Sequence, residues 1–377
     1  MAEPATPPDG ELGAFRSAVL EALSATPAGA DGRTVWRALG QAGLLAELFP
    51  PLGGPGPRLD RLDALLTALD ELYPVGAVLS VCVQVATALP ILREAPGTKP
   101  ARRACEAATR GEAVLALGVT DMGAAGSDLM ALGTEARLTD DRVRLDGGKS
   151  WITNACSADY AVVLARHRPQ RHFTSFLWVL VPTGARGVHA EPASGSPFAG
   201  SGVGHLRFDG VSLDRDHLLG SPGRGLPTFA RHVGTERIAG AFWARAICRR
   251  VLADTLRWLA GRTVDSRPLW DNDAVRARFA RCLVELRRID AMCAQHATAA
   301  AGPDTLLSSM LLKAATAESL ELVLAECVQL RGAEAFGADG PAMLRAEVAM
   351  FGIAGGATGA MLAGIAEHAA ELVGAAP

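Results

Sequence analysis

Lysine is nearly absent from this 377-residue chain: its 37 basic residues include only Lys99, Lys149 and Lys313. That scarcity reads as GC-rich coding bias. Net charge is -3, and there is no basic run or aromatic-and-basic stripe of the kind a phosphate-backbone binder carries, so a nucleic-acid partner is excluded. Cysteine pairs at metal or redox spacing are also missing. The seven cysteines, Cys82, Cys105, Cys156, Cys248, Cys282, Cys293 and Cys327, are odd in number and contain no CxxC. Neither a metal site nor a disulfide framework is expected; the thiols read as small core residues of a reduced, cytoplasmic protein. The opening MAEPATPPDGE has no basic n-region and no apolar h-region, which reads as a short disordered leader and not a signal peptide. The longest apolar run, 75–92, is interrupted by Ser80, Gln84 and Thr87, as in a buried helix and unlike a membrane span.

What is present is ample core material. Apolar residues make up 49% and charged residues 20%, and the length exceeds what one core sustains, so two or three domains are expected. Up to residue 112 the apolar period is helical: Phe15, Val19 and Leu23 share a face with Leu12, and Trp36, Leu39 and Leu44 begin a second stretch. The Pro and Gly cluster FPPLGGPGP, 49–57, interrupts as a rigid loop. From 113 to about 215 the segments VLALGV, RVRLDG, YAVVLAR, TSFLWVLV and GHLRFDGVSL are short, β-branched or alternating, and separated by turn residues, which predicts strands. Helical periodicity then returns, with Leu320, Val323, Leu324, Cys327 and Val328 on one stripe and Glu318, Glu321 and Glu326 on the wet side. The layout is α+β: a helical domain 1–112, a β domain 113–222 and a helical domain 223–377.

Three segments give this layout an identity. LGVTDMGAAGSD, 117–128, closes a strand with a Gly-rich loop; GGKSWITNACSADYAVVLAR, 147–166, follows; LLGSPGRGL, 218–226, leads into GTERIAG, 234–240. Together with WRALGQAGLLAELFP near the start they resemble the acyl-CoA dehydrogenase family, over nearly the whole chain. The resemblance implies an N-terminal helical domain, a middle β-barrel or sandwich domain, a C-terminal four-helix bundle, and FAD as cofactor. It implies that Val119, Thr120, Trp151 and Thr153 contact the flavin, where a flat apolar wall and a few polar groups orient the ring. Gly123, Gly126 and Ser127 are expected at the thioester end of the substrate. Here Asp121 and Met122 replace the family's Glu-Pro pair and one Ala is added.

The resemblance further implies that a neighbouring subunit of a homodimer or homotetramer completes the FAD diphosphate site. Arg262 in GRTVDSRPLW and Gln329 with Gly332 in QLRG align with those motifs; Asp265, Ser266 and Ala333 depart from them. The family reaction requires a carboxylate to take the α-proton of an acyl thioester. Most members carry it in a C-terminal YEGT segment, where this chain has FGIAGGATG, 351–359, with Ala354 or Gly355 at the base position. Neither accepts a proton through its side chain, although the N–H at 354 is expected to remain open to the thioester carbonyl. A minority carries the base directly before a helical Arg, which is Glu236 here. A Glu-Arg pair on a helix is most often a surface charge, so both readings of Glu236 stand at this point.

The activity so implied is α,β-dehydrogenation of an acyl thioester, with coenzyme A or an acyl carrier protein as the carrier and a flavoprotein or O2 as electron acceptor. Secondary metabolism fits the altered loop. A reduced-flavin, O2-dependent monooxygenase and a catalytically inactive flavin-binding partner are the alternatives on the same fold.

Overall fold

The computed structural model describes residues 9–50, 54, 56–95, 97–123, 126, 128–195, 198–297, 305–338 and 340–374. These divide into two compact units, one spanning 9–68 and 72–236 and the other 69–71 and 237–374. The loop 49–57 and the leader lie partly outside the described residues. Helix Asp9–Leu23 begins inside the expected leader, so residues 9–11 are helical and not disordered.

In the first unit, helices and a sheet share one body. Phe15, Val19, Leu23, Trp36, Leu39 and Leu44 are all buried, as their 3.6-residue period requires. Asp31 caps Gly32–Gln41 by accepting from the Thr34 N–H at 2.8 Å, and Thr98 caps Lys99–Thr109 through the Ala101 N–H. The apolar run continues as Val75–Val83, a π-helical turn Gln84–Ala88, and Leu89–Glu94. It is long and apolar enough to cross a membrane, yet 89% of its most apolar window is buried inside the protein.

The sheet has eight strands: β1 (Leu115–Gly118), β2 (Glu135–Leu138), β3 (Arg142–Ile152), β4 (Tyr160–Arg166), β5 (Phe176–Pro182), β6 (Val188–Pro192), β7 (Gly204–Asp214) and β8 (Leu218–Leu219). Their order is β6-β7-β3-β2-β4-β5-β8, with β1 parallel to β4. The short β2 to β4 pairing is also parallel and the other neighbours are antiparallel. In β3, buried Val143 and Leu145 alternate with exposed Arg142 and Arg144, the mark of a strand with one wet face. β4 and β5 are buried almost throughout.

The polar interruptions of the apolar run tie helix to sheet. Ser80 Oγ donates to Asn154 Oδ1 at 2.6 Å, and Asn154 Nδ2 donates to the carbonyls of Ser80 (3.2 Å) and Leu115 (3.0 Å). Gln84 Oε1 accepts from the Leu115 N–H at 2.9 Å. Buried polar groups with such partners cost little, whereas unpaired ones would cost heavily.

Helix Gly225–Gly261 begins in the first unit and runs on into the second. There it is joined by Asp273–Ala297, Thr305–Arg331 and the shorter Pro341–Val348 and Thr358–Ala366. Leu320, Val323, Leu324 and Cys327 are buried while Glu318 and Glu321 are exposed, as the period predicted, but Val328 and Glu326 are both half-buried, Glu326 being held by Arg278 Nε at 2.7 Å. Buried Asp70 receives Arg250 Nε and Nη2 at 2.8 and 3.1 Å, and Trp243 Nε1 at 3.2 Å. Five cysteines are buried core residues and Cys105 is half-buried, but Cys156 is exposed and departs from the core reading.

Candidate active site

The motif GGKSWITN forms the end of β3 and the turn after it. Between Lys149 and Ile152 the β3–β7 register shifts, and Trp151 sits on that bulge at φ +56, in the left-handed region that costs an L-residue about 1–2 kcal/mol. Trp151 is 60% exposed, with His205 edge-on at 5.8 Å. A large ring left uncovered on strained backbone fits a planar aromatic partner such as the flavin ring. Val119, Thr120 and Thr153 are half-buried near it in the fold: Ser150 N–H donates to Thr120 O at 3.0 Å, which lays 119–121 beside the end of β3.

Beneath that surface lies a pair that the sequence reading passed over. Lys149 is fully buried; its Nζ donates to Val119 O at 2.9 Å and forms an ion pair with Asp121. Asp121 also accepts from Thr134 N–H (2.7 Å) and Oγ1 (2.8 Å), and from the Gly133 N–H. Burial pulls the Lys149 ammonium down to about 8, against the opposing pull of Asp121. Asp121, counted above as a departure, therefore anchors the start of the Gly-rich loop. Within that loop Gly123 has φ +76, Gly126 is exposed, and Ser127 lies outside the described residues. The one signal for Lys149 in the sequence was a lysine inside a motif of a chain that hardly uses lysine.

Glu236 is half-buried, not a solvated charge. Thr87 Oγ1, from the π-helical turn, donates to its Oε2 at 3.2 Å. Single π-turns inside helices recur at functional sites because they re-aim a side chain. Cys82, on the same helical run, has its thiol pushed up to about 12 by burial and further by the Glu236 charge. One helical turn before Glu236, buried His232 meets Glu94 at 2.6 Å, and Arg231 also pairs with Glu94.

In the second unit, Arg237 is buried and its Nε donates to Gly355 O at 3.0 Å. Gly355 and Gly356 have φ +68 and +105, a turn open to glycine, and a Cβ on Gly356 would come within 2.5 Å of Met361 Cε. Ala354 is exposed, but its N–H already donates to Met350 O at 2.8 Å. That corrects the expectation of an open N–H at 354: the chain tightens into a turn there and uses the donor itself. Arg262 is exposed at the end of Gly225–Gly261, heading the hairpin β9 (Thr263–Val264) to β10 (Arg267–Pro268). Gln329 and Gly332 are exposed at the end of Thr305–Arg331, with Gly332 at φ +58. Among the described residues no group of three or more His, Cys, Asp or Glu is arranged to hold a metal ion.

Comparison with known proteins matches residues 116–211 to the acyl-CoA dehydrogenase middle domain and 223–370 to the acyl-CoA dehydrogenase C-terminal domain. An acyl-[acyl-carrier-protein] dehydrogenase, MbtN, of Mycobacterium sp. (strain MCS) is 29% identical over 307 residues, which is 79% of this chain and 75% of that protein. The crystal structure of acyl-CoA dehydrogenase from Geobacillus kaustophilus superposes with a TM-score of 0.86 at 21% identity, over 97% of this chain and 100% of that one. A glutaryl-CoA dehydrogenase from Mycobacterium smegmatis, solved in complex with FADH2, gives 0.85 at 20% identity, over 98% and 96%. With its fold and its two matched domains, the chain belongs to the acyl-CoA dehydrogenase family, whose cofactor is FAD.

Proposed function

We propose that this enzyme catalyses α,β-dehydrogenation of an acyl thioester, with Glu236 removing the α-proton. The observation that supports Glu236 is its half-buried carboxylate, held by Thr87 at 3.2 Å from a π-helical turn. The Thr87 hydroxyl fixes the direction of the carboxylate, and a carboxylate held in place on a half-buried helical face is the kind of group that can take a proton from a bound substrate. The empty position at 354–355 supports it from the other side, since the usual base is replaced there by Ala and Gly.

Val119, Thr120, Trp151 and Thr153 would hold the isoalloxazine face, with Lys149 and Asp121 fixing the segment after β1 that carries the first two. Gly123, Gly126 and Ser127 would receive the thioester end. Arg262, Gln329 and Gly332 would meet the FAD diphosphate of a second copy, in a homodimer or homotetramer. FAD, when bound, accepts the β-hydride at N5. Electrons leave to a flavoprotein or to O2.

Anaerobic mixing of the FAD-loaded enzyme with a panel of acyl thioesters tests this reading by the bleaching of the yellow flavin colour. Bleaching by at least one saturated thioester, with formation of the enoyl product, is the expected result. Oxygen uptake only with an external flavin reductase would replace the reading with a monooxygenase. A preparation that retains flavin but bleaches with none of the panel would favour a non-catalytic partner protein.

A further inference from the structure

Residues 166–172 read RHRPQRH, five basic residues in seven positions, in a chain with net charge -3. They form the connection from β4 to β5, and one end of it is fastened to the Gly-rich loop. Arg166 Nε donates to Leu132 O at 2.9 Å and its Nη2 to Met130 O at 2.5 Å, while the guanidinium lies 4.6 Å over the Phe176 ring. Arg171 pairs with Asp128 at 3.0 Å, directly after the residues read as the thioester end of the site. Arg168 and Arg171 remain exposed, and Phe173 stands out beside them. Exposed Arg224 belongs to the turn whose Gly223 N–H donates to Phe176 O at 3.0 Å, at the foot of the same connection.

We infer that this basic connection is the docking surface for an acidic carrier protein that presents its acyl group on a phosphopantetheine arm. The inference rests on the dehydrogenase reading for the position of the thioester, and names its carrier. An arm-bound substrate brings a phosphodiester where the arm meets the protein, with acidic side chains around it. Arg166, Arg168, Arg171 and Arg224 set four positive charges against one from Asp128 at the loop that the arm must pass. Guanidinium forks suit phosphate and carboxylate alike, and an exposed aromatic among them supplies the apolar contact that charge alone lacks. Association through such a surface is steered by charge and weakens with salt. Coenzyme A shares the phosphates but has no protein face to occupy Arg168, Phe173 and Arg224 together.

Binding of a phosphopantetheinylated acyl carrier protein to the FAD-loaded enzyme, read by fluorescence anisotropy at low and high salt, tests the surface independently of turnover. The double variant Arg168→Glu/Arg224→Glu is expected to raise Kd about tenfold or more and to flatten the salt dependence, while flavin reduction by an acyl-pantetheine thioester, which lacks both phosphate and protein, stays at the wild-type rate. Unchanged carrier affinity in the variant overturns the inference, as does an equal loss of coenzyme A affinity. If wild-type enzyme binds the carrier but no thioester bleaches its flavin, the surface stands and the dehydrogenase reading falls.

Discussion

Thr87 and Glu236 are 149 positions apart in sequence, yet a hydrogen bond joins them and Glu236 is half-buried, unlike a solvated surface charge. Locally, GTERIAG offers only a helical carboxylate beside an arginine, and the sequence alone could weigh it only against the missing base at 354–355. The long-range partner was illegible because a threonine in an apolar run carries no mark of what it faces. Lys149 is a similar case: it was read as one of three survivors of coding bias, and its burial against Asp121 makes it structural to the site. Replacing Lys149 by Met leaves Asp121 buried without its counter-charge, at a cost of about 3–5 kcal/mol, measurable as a lower urea midpoint. The pH dependence has a defined sign. Lys149 in the fold releases its proton at about 8, below the ordinary lysine value near 10.4, so between these values the unfolded chain holds more protons. Stability from this group therefore rises with pH across that window, by up to about 1.4 kcal/mol per pH unit, and a Lys149→Met series should lose that slope.

At the scale of elements, the order of helix, strand and helix was legible because the apolar period changes from 3.6 to 2 and back along long segments. The fine positions were not. Asn154, read only as part of a motif, has φ +67 and joins Ser80 to Leu115 from the turn after β3. Asn154→Ala removes the donors to the Ser80 and Leu115 carbonyls and the acceptor of the Ser80 hydroxyl, with the Ser80 carbonyl keeping only Gln84 Nε2 among side-chain donors, and should destabilise by about 2–4 kcal/mol, seen in chemical denaturation. The hairpin β9–β10 makes the opposite case. Asp265 and Ser266, noted in the sequence as departures from the family's pattern, sit at φ +49 and +63, where an L-residue is strained. Ser266→Gly relieves that strain and should stabilise by roughly 0.5–1 kcal/mol, as a raised urea midpoint at unchanged slope. Arg262 is exposed at the head of the same hairpin.

For the whole molecule, His232 near the start of helix Gly225–Gly261 and its partner Glu94 at the end of helix Leu89–Glu94 set the acid limit. Burial holds the His232 imidazole below its ordinary value despite Glu94, so as pH falls through about 6.5 the unfolded chain takes up that proton first and stability drops. Burial pushes the Glu94 carboxyl up, but its hydrogen bonds from Arg231 and His232 prevail and hold it low, so its contribution is present above about 4.3 and is lost as pH falls further. Both act in one direction, and acid unfolding should begin below about pH 6.5, with His232→Gln removing the upper part of the transition. The family and its domain order were visible in the motifs; the basic connection 166–172 was not, because Pro169 and Gln170 break the run and only the fold shows Arg166 and Arg171 reaching back to the Gly-rich loop.

The central claim is that Glu236 takes the α-proton. Single-turnover flavin reduction under anaerobic conditions, compared between wild type and Glu236→Gln at equal FAD content, tests it most directly. The account predicts a rate lower by about 10² to 10⁴, or roughly 3–5 kcal/mol of barrier, with substrate affinity retained. Reduction of the Glu236→Gln flavin at the wild-type rate would contradict it.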